Sequence, residues 1–226
     1  MEFFVEKAVL DAGVKIRFAV VEGLDNTVES PLWHDERKQM LARLRERYRD
    51  FDVHADPILE GYHLLHDKTG VKRRKNVPAS INLIKQLEKN GDLPFINQVV
   101  DIYNIISLDT KLALGAHDMD RVDGNVILRF SNGTERYVPL GQTDPVPVAP
   151  HEYCYCDASN EVLCRLEVRQ VNKTAVSEQT HNVFYIVQGN QATPAVLLRQ
   201  TAQRIVDTTT RLCGGVGGVV TPAVLS

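Results

Sequence analysis

Apolar and polar positions alternate with period two along "VKIRFAVV", Val14 to Val21, where Val14, Ile16, Phe18 and Val20 stand against Lys15 and Arg17. This predicts a strand with one buried face. After Gly23 and Pro31 the period changes. Leu32, Met40, Leu41, Leu44 and Tyr48 in "LWHDERKQMLARLRERYRDF" keep helical spacing among many Glu and Arg, so a helix with a solvated face is expected. Gly61 to Lys75 shows neither period and reads as an irregular basic loop. "NVPAS" opens a short helix with Asn76 or Ser80 as its cap, running through "INLIKQLEK" to Gly91. A second helix follows Pro94 and ends near Leu108.

From Asn125 period two returns. "VILRF", a "SNG" turn and "TERYVPL" predict one hairpin, and "EYCYCD", "ASN" and "EVLCRLEVRQ" a second. In the last stretch Val162, Cys164, Leu166 and Val168 take one face, and Arg165, Glu167 and Arg169 the other. "HNVFYIVQG" is a further strand. "ATPAVLLRQTAQRIVDTTTRL" predicts a long amphipathic helix from Pro194, stopped by the glycines of "CGGVGGVV", after which a flexible tail is expected. Strand and helices, then antiparallel strands, then a helix suggest an α+β fold in one unit over residues 1–226.

The second of the paired helices carries an anomaly. "FINQVVDIYNIISL", Phe95 to Leu108, is almost wholly apolar, yet Asn97, Asp101 and Asn104 fall four and three residues apart and share one face. Such groups either cap and brace a fold or line a pocket that needs hydrogen bonds away from water. Asn97 is placed to cap, and Asp101 to brace the helix against local backbone donors. Asn104 is the pocket-facing candidate.

Charge narrows the partners. A net charge of −3 gives no global attraction to nucleic acid, so any RNA contact needs a local patch. The densest is "KTGVKRRK", five Lys or Arg in eight residues, with Lys72, Arg73, Arg74 and Lys75 as the phosphate-binding candidates. The amino terminus is acidic where a signal peptide would be basic, and no apolar run approaches the roughly 18 residues of a membrane span. The four cysteines suit a reducing cytoplasm as small buried side chains. Cys154 and Cys156 share a strand face without an obvious further ligand. "GAHDMD" sets His117 beside Asp118 and Asp120, which reads as turn chemistry, with His117 as a candidate base. No cofactor and no metal is expected. P-loop, dinucleotide and nucleophile-elbow motifs do not occur.

"LPFINQVVDIYNIISL…LGAHDMDRVDGNVILR" resembles the B3/B4 domain, the aminoacyl-tRNA editing domain of the phenylalanyl-tRNA synthetase beta subunit. Ile96, Asn97, Val99, Val100, Asp101 and Asn104, then Asp118, Asp120, Arg121 and Val122, match its motifs, and Thr180 and Val183 match a later Thr-x-x-Val. The similarity covers about residues 77–189, and the Cys-Arg…Arg-Gln strand resembles free-standing members. It implies an antiparallel, β-barrel-like sheet with an attached α/β part. Asn104 matches a pocket asparagine. A pocket histidine falls on Gly115, a glutamate on Ile186 and a glycine on Glu167.

The resemblance implies tRNA or aminoacyl-tRNA as partner, with neither DNA nor membrane, and a hydrolase serving translation fidelity. Cleaving an aminoacyl ester needs an oriented water and a stabilised oxyanion more than a nucleophile. Asn104, His117 and Arg169 are the catalytic candidates. Gly115, Glu167, Gln170, Thr180 and Ile186 are the substrate-binding ones, with Glu167 receiving the ammonium. Two alternatives stay open: a non-catalytic binder of tRNA or a free amino acid, and a structural or protein-interaction module.

Overall fold

The computed structural model describes residues 1–27 and 29–226. Its frame is a four-stranded antiparallel sheet in the order β3 (Ala113–Asp118), β8 (Asn182–Gly189), β2 (Lys15–Glu22) and β9 (Val216–Val220). Alternation along these strands sends side chains to two different cores. Ala19, Val21, Leu114, Ala116, Val183, Tyr185 and Val187 face a helical layer. Ile16, Phe18, Ala113, Phe184 and Ile186 face a second sheet. That sheet has six strands in the order β10 (Ala223–Leu225), β1 (Phe3–Glu6), β4 (Val126–Phe130), β5 (Tyr153–Cys156), β6 (Val162–Arg165) and β7 (Arg169–Gln170). Between the sheets Phe3 stacks on Phe18 at 4.4 Å between centroids, with Phe184 and Tyr155 edge-on. The result is α+β in three layers. The expected α+β fold is present, and among the described residues its barrel-like part is two open sheets and not a closed barrel.

Helices α2 (Pro31–Tyr48), α4 (Ala79–Asn90), α5 (Gln98–Thr110) and α6 (Ala195–Cys213) make the outer layer. A short α1 (Lys7–Asp11) follows β1. Pro31 sits in the first turn of α2, where its missing N–H has no partner to lose. Gly91 and Gly214 end α4 and α6 at positive φ of 70° and 72°. The N-cap of α4 is Pro78, so neither Asn76 nor Ser80 caps it; Asn76 instead accepts from Arg165 Nη1 at 2.8 Å.

Three local expectations fail for identifiable reasons. The expected basic loop is mostly a helix, α3 (Pro57–Lys68), capped by Asp56, which accepts from the N–H groups of Ile58 and Leu59. Only Arg73–Lys75 forms a separate 3-10 turn. "TERYVPL" does not pair with β4, whose partners are β1 and β5; it makes only isolated bridges from Arg136 and Pro139. The tail is ordered as β9 and β10. Gly217 makes this possible, since a Cβ there would sit 2.3 Å from the Val20 carbonyl oxygen across the pair. No helix among the described residues is long and apolar enough to cross a membrane.

Candidate functional site

The polar stripe of α5 divides its labour. Asn97 caps the helix, its Oδ1 accepting from the Val100 N–H at 3.0 Å. Asp101 is 1% exposed and braces α5 against α2, not against its own backbone. Trp33 Nε1 donates to it at 2.6 Å and Arg37 Nε at 2.9 Å. Burial outweighs these donors and holds the Asp101 carboxyl above its ordinary pKa. Asn104 alone of the three opens onto a cleft.

That cleft has a volume of about 380 Å³. One wall is helical, from Ala79, Asn82, Leu83 and Gln86 of α4 and Tyr103 and Asn104 of α5. The other is β-structure, from Gly115 on β3, Ile186 and Gln188 on β8, and the residues from Leu166 to Gln170. The predicted strand "EVLCRLEVRQ" is in fact the hairpin β6–β7, turned at Leu166–Val168 with Leu166 at φ 53°. Glu167 and Arg169 therefore do not share a strand face. Arg169 is exposed at the rim, and Glu167, 5% exposed, turns into the molecule.

A polar network surrounds the Glu167 carboxylate. The Tyr153 hydroxyl and Gln188 Nε2, the latter at 2.9 Å, both donate to Oε2. The Tyr155 hydroxyl donates to Gln188 Oε1 at 2.6 Å and Tyr62 to the Gln188 carbonyl at 2.7 Å. His66 Nε2 lies 2.5 Å from Oε1. It stands off the line of a good hydrogen bond. Burial holds the hydroxyls of Tyr62, Tyr153 and Tyr155 well above their ordinary pKa, so all three remain donors. The peptide N–H of Ala79 donates to the Glu167 carbonyl at 3.0 Å, tying this turn to the start of α4.

Gly115 matters for what it leaves free. A Cβ there would meet the Gln170 Nε2 at 2.2 Å, so the glycine admits the Gln170 amide to the cleft wall. The structure thus gathers Asn104, Gly115, Glu167, Arg169, Gln170 and Ile186 around one space.

It leaves two predicted residues elsewhere. His117 is fully buried, stacked on Phe184 at 5.0 Å, with Nδ1 2.7 Å from Thr174 Oγ1. Desolvation pushes its pKa down to about 3, so it is a neutral core ring and no base for the cleft. Thr180 is buried and donates to Asp118 Oδ2 at 2.7 Å, which anchors the turn after β3 instead of touching a ligand. The basic turn lies just before α4. Lys72, Arg74 and Lys75 are exposed, whereas Arg73 is paired with Glu60 at 2.8 Å and with Asp67. Cys164 lines the cleft, but burial raises its thiol pKa, which disfavours a thiolate nucleophile.

Sequence reasoning missed Tyr62, His66, Tyr153, Tyr155 and Gln188, the shell that holds Glu167. Asp56-Pro57 was the available signal, a helix start that would have put Tyr62 and His66 on one apolar face.

Residues 68–210 match the profile of the B3/4 domain family. The phenylalanine–tRNA ligase beta subunit of Mycoplasma genitalium is 27% identical over 135 residues, covering 59% of this chain and 16% of that protein. An N-terminal fragment of the phenylalanyl-tRNA synthetase beta-subunit from Pyrococcus horikoshii superposes with a TM-score of 0.50 at 13% identity, over 99% of this chain and 51% of the other. The chain therefore spans a small part of the first relative and about half of the second.

Proposed function

The chain belongs to the B3/4 domain family, and from that premise we propose that it is a tRNA-directed protein whose cleft receives the aminoacyl end of a charged tRNA and hydrolyses the ester in trans. Residues 1–226 act in this reading as one B3/B4-type unit. The observation that carries it is Glu167, which lines the cleft and whose buried carboxylate is fixed by Tyr153 and Gln188. An aminoacyl ester carries a free ammonium, and a fixed carboxylate in a poorly hydrated site is the group that recognises one. Asn104 and Gln170 supply neutral amides on facing walls, able to orient a water and hold the carbonyl. Arg169 at the rim adds a cation near the developing oxyanion or the terminal phosphate. Lys72, Arg74 and Lys75, exposed in the turn before α4, supply further cations for tRNA phosphates.

The attacking group in this scheme is water. The ester is already activated, and neither Cys164 nor His117 is placed or charged to attack. The same two observations favour a second reading, in which the cleft binds charged tRNA or a free amino acid without cleaving it. Incubation with a panel of misacylated tRNAs separates the two. Hydrolysis predicts ester loss with at least one amino acid, abolished in Asn104→Ala. Binding without cleavage predicts retention of the ester and a saturable isotherm. Neither signal with any tRNA or amino acid overturns both readings.

A further inference from the structure

Beside the start of α3, His54, Glu60 and His63 each offer a ligand atom, and these atoms lie within 4.8 Å of one another. Glu60 and His63 are three residues apart on the helix and so share a face. His54 comes from the preceding turn, positioned by its own peptide N–H, which donates to Asp52 Oδ1 at 2.9 Å. Its Nδ1 is 3.5 Å from Glu60 Oε2, and its ring stacks on that of His63 at 5.6 Å.

His63 sets this group apart from an ordinary cluster of exposed polar side chains. It is only 5% exposed, and its Nδ1 has no hydrogen-bond partner among the described residues. A buried imidazole nitrogen left unpaired is unfavourable by about 1–3 kcal/mol, and a bound cation can relieve such a deficit. Glu60 is also oriented for the purpose. Arg73 Nη1 holds its Oε1 at 2.8 Å, leaving Oε2 turned toward His54, as the second partner of a metal-binding carboxylate commonly does. Arg73 brings a positive charge that opposes a cation, and its pairing with Asp67 offsets that charge. Four donors around zinc at its usual bond lengths stand about 3.3 Å apart. The three ligand atoms, within 4.8 Å of one another, need to close by roughly 1.5 Å at most to take three of these positions.

We propose that His54, Glu60 and His63 form a binding site for one divalent cation of the zinc class, with a fourth position open to water. Two imidazoles and a carboxylate suit zinc better than the oxygen-seeking calcium or magnesium.

The test is a titration of zinc chloride into the full chain against a chromophoric chelator, with cobalt(II) absorption as a second readout. One equivalent of zinc is expected, together with tetrahedral cobalt bands lacking sulfur charge transfer. His54→Ala removes a largely exposed side chain, leaves the core intact, and should weaken zinc binding roughly tenfold or more. Three results overturn the site: no stoichiometric uptake, unchanged affinity in His54→Ala, or a sulfur-to-cobalt band that places the metal on the cysteines.

Discussion

Glu167→Gln is the most informative perturbation of the cleft, because it removes one charge and almost no volume. A glutamine at 167 can still accept from Tyr153 and Gln188 and turn its NH₂ toward His66, so the fold should survive. The two bonds to Oε2 pass from charge-assisted to neutral, which weakens the fold by about 1–3 kcal/mol. The larger effect falls on a bound ammonium. At about 4 Å from the carboxylate and an effective dielectric constant near 20, the attraction is about 4 kcal/mol. Desolvation reduces the measurable part to roughly 2–4 kcal/mol, a loss of about thirty- to a thousandfold in affinity. Calorimetry with non-hydrolysable aminoacyl-adenosine amides across a set of amino acids measures this directly, and the N-acetylated forms serve as the charge-free control. The wild-type protein should prefer the free amine, and Glu167→Gln should lose that preference. If the variant binds the free amine as tightly as the wild type, or the wild type binds both forms alike, Glu167 is a structural acid and the ammonium assignment is wrong.

Other consequences are equally open to measurement. Asp101→Ala strands Trp33 Nε1 and partly frees Arg37, which keeps Asp92 at 3.0 Å and the Leu93 carbonyl; urea denaturation should show a loss of about 3 kcal/mol, and a loss within error of zero would refute the brace. His117 has a folded pKa of about 3 against an ordinary 6.5, so its contribution is whole above pH 6.5 and is lost as pH falls toward 3. His117→Gln should therefore flatten the decline in stability between pH 6 and 4 by about 2–3 kcal/mol, and parallel pH profiles for the two proteins would contradict its burial as a neutral ring. Replacing Lys72, Arg74 and Lys75 together by alanine should lower the slope of log affinity for tRNA against log salt by about 0.7 for each phosphate that is no longer neutralised; an unchanged slope removes the turn from the RNA surface.

Elements with a local signature were legible in the sequence. The amphipathic spacing of α2 and α6, the alternation of β2, the apolar run of β8, and the capping position of Asn97 each depend on neighbours within a few residues. What failed depended on distant partners. Gly61 looks like a helix breaker, yet it sits within α3 because the Asn190 amide occupies the space where a Cβ would stand, 2.2 Å from Oδ1. Glu167 alternates as a surface residue should. It is buried because Leu166 reverses the chain and four elements bring Tyr153, Gln188, His66 and Ala79 to it. Glu135 misled in a similar way. It lies in "TERYVPL", the stretch expected to complete a hairpin, but it is buried beneath the turn, accepting from the peptide N–H groups of Asn132 and Gly133 and from Arg129. Of the site, Asn104, Arg169 and Gln170 were visible as a polar stripe and a charged ribbon, whereas the shell that fixes Glu167 was not.

Equilibrium binding of one tRNA in two forms, uncharged and carrying its amino acid through a stable amide bond, tests the central claim most directly. A cleft that reads the aminoacyl group through Glu167 predicts clearly tighter binding of the charged form by the wild type and equal binding of both forms by Glu167→Gln. Equal affinity of the wild-type protein for the two forms, across several amino acids, would contradict it.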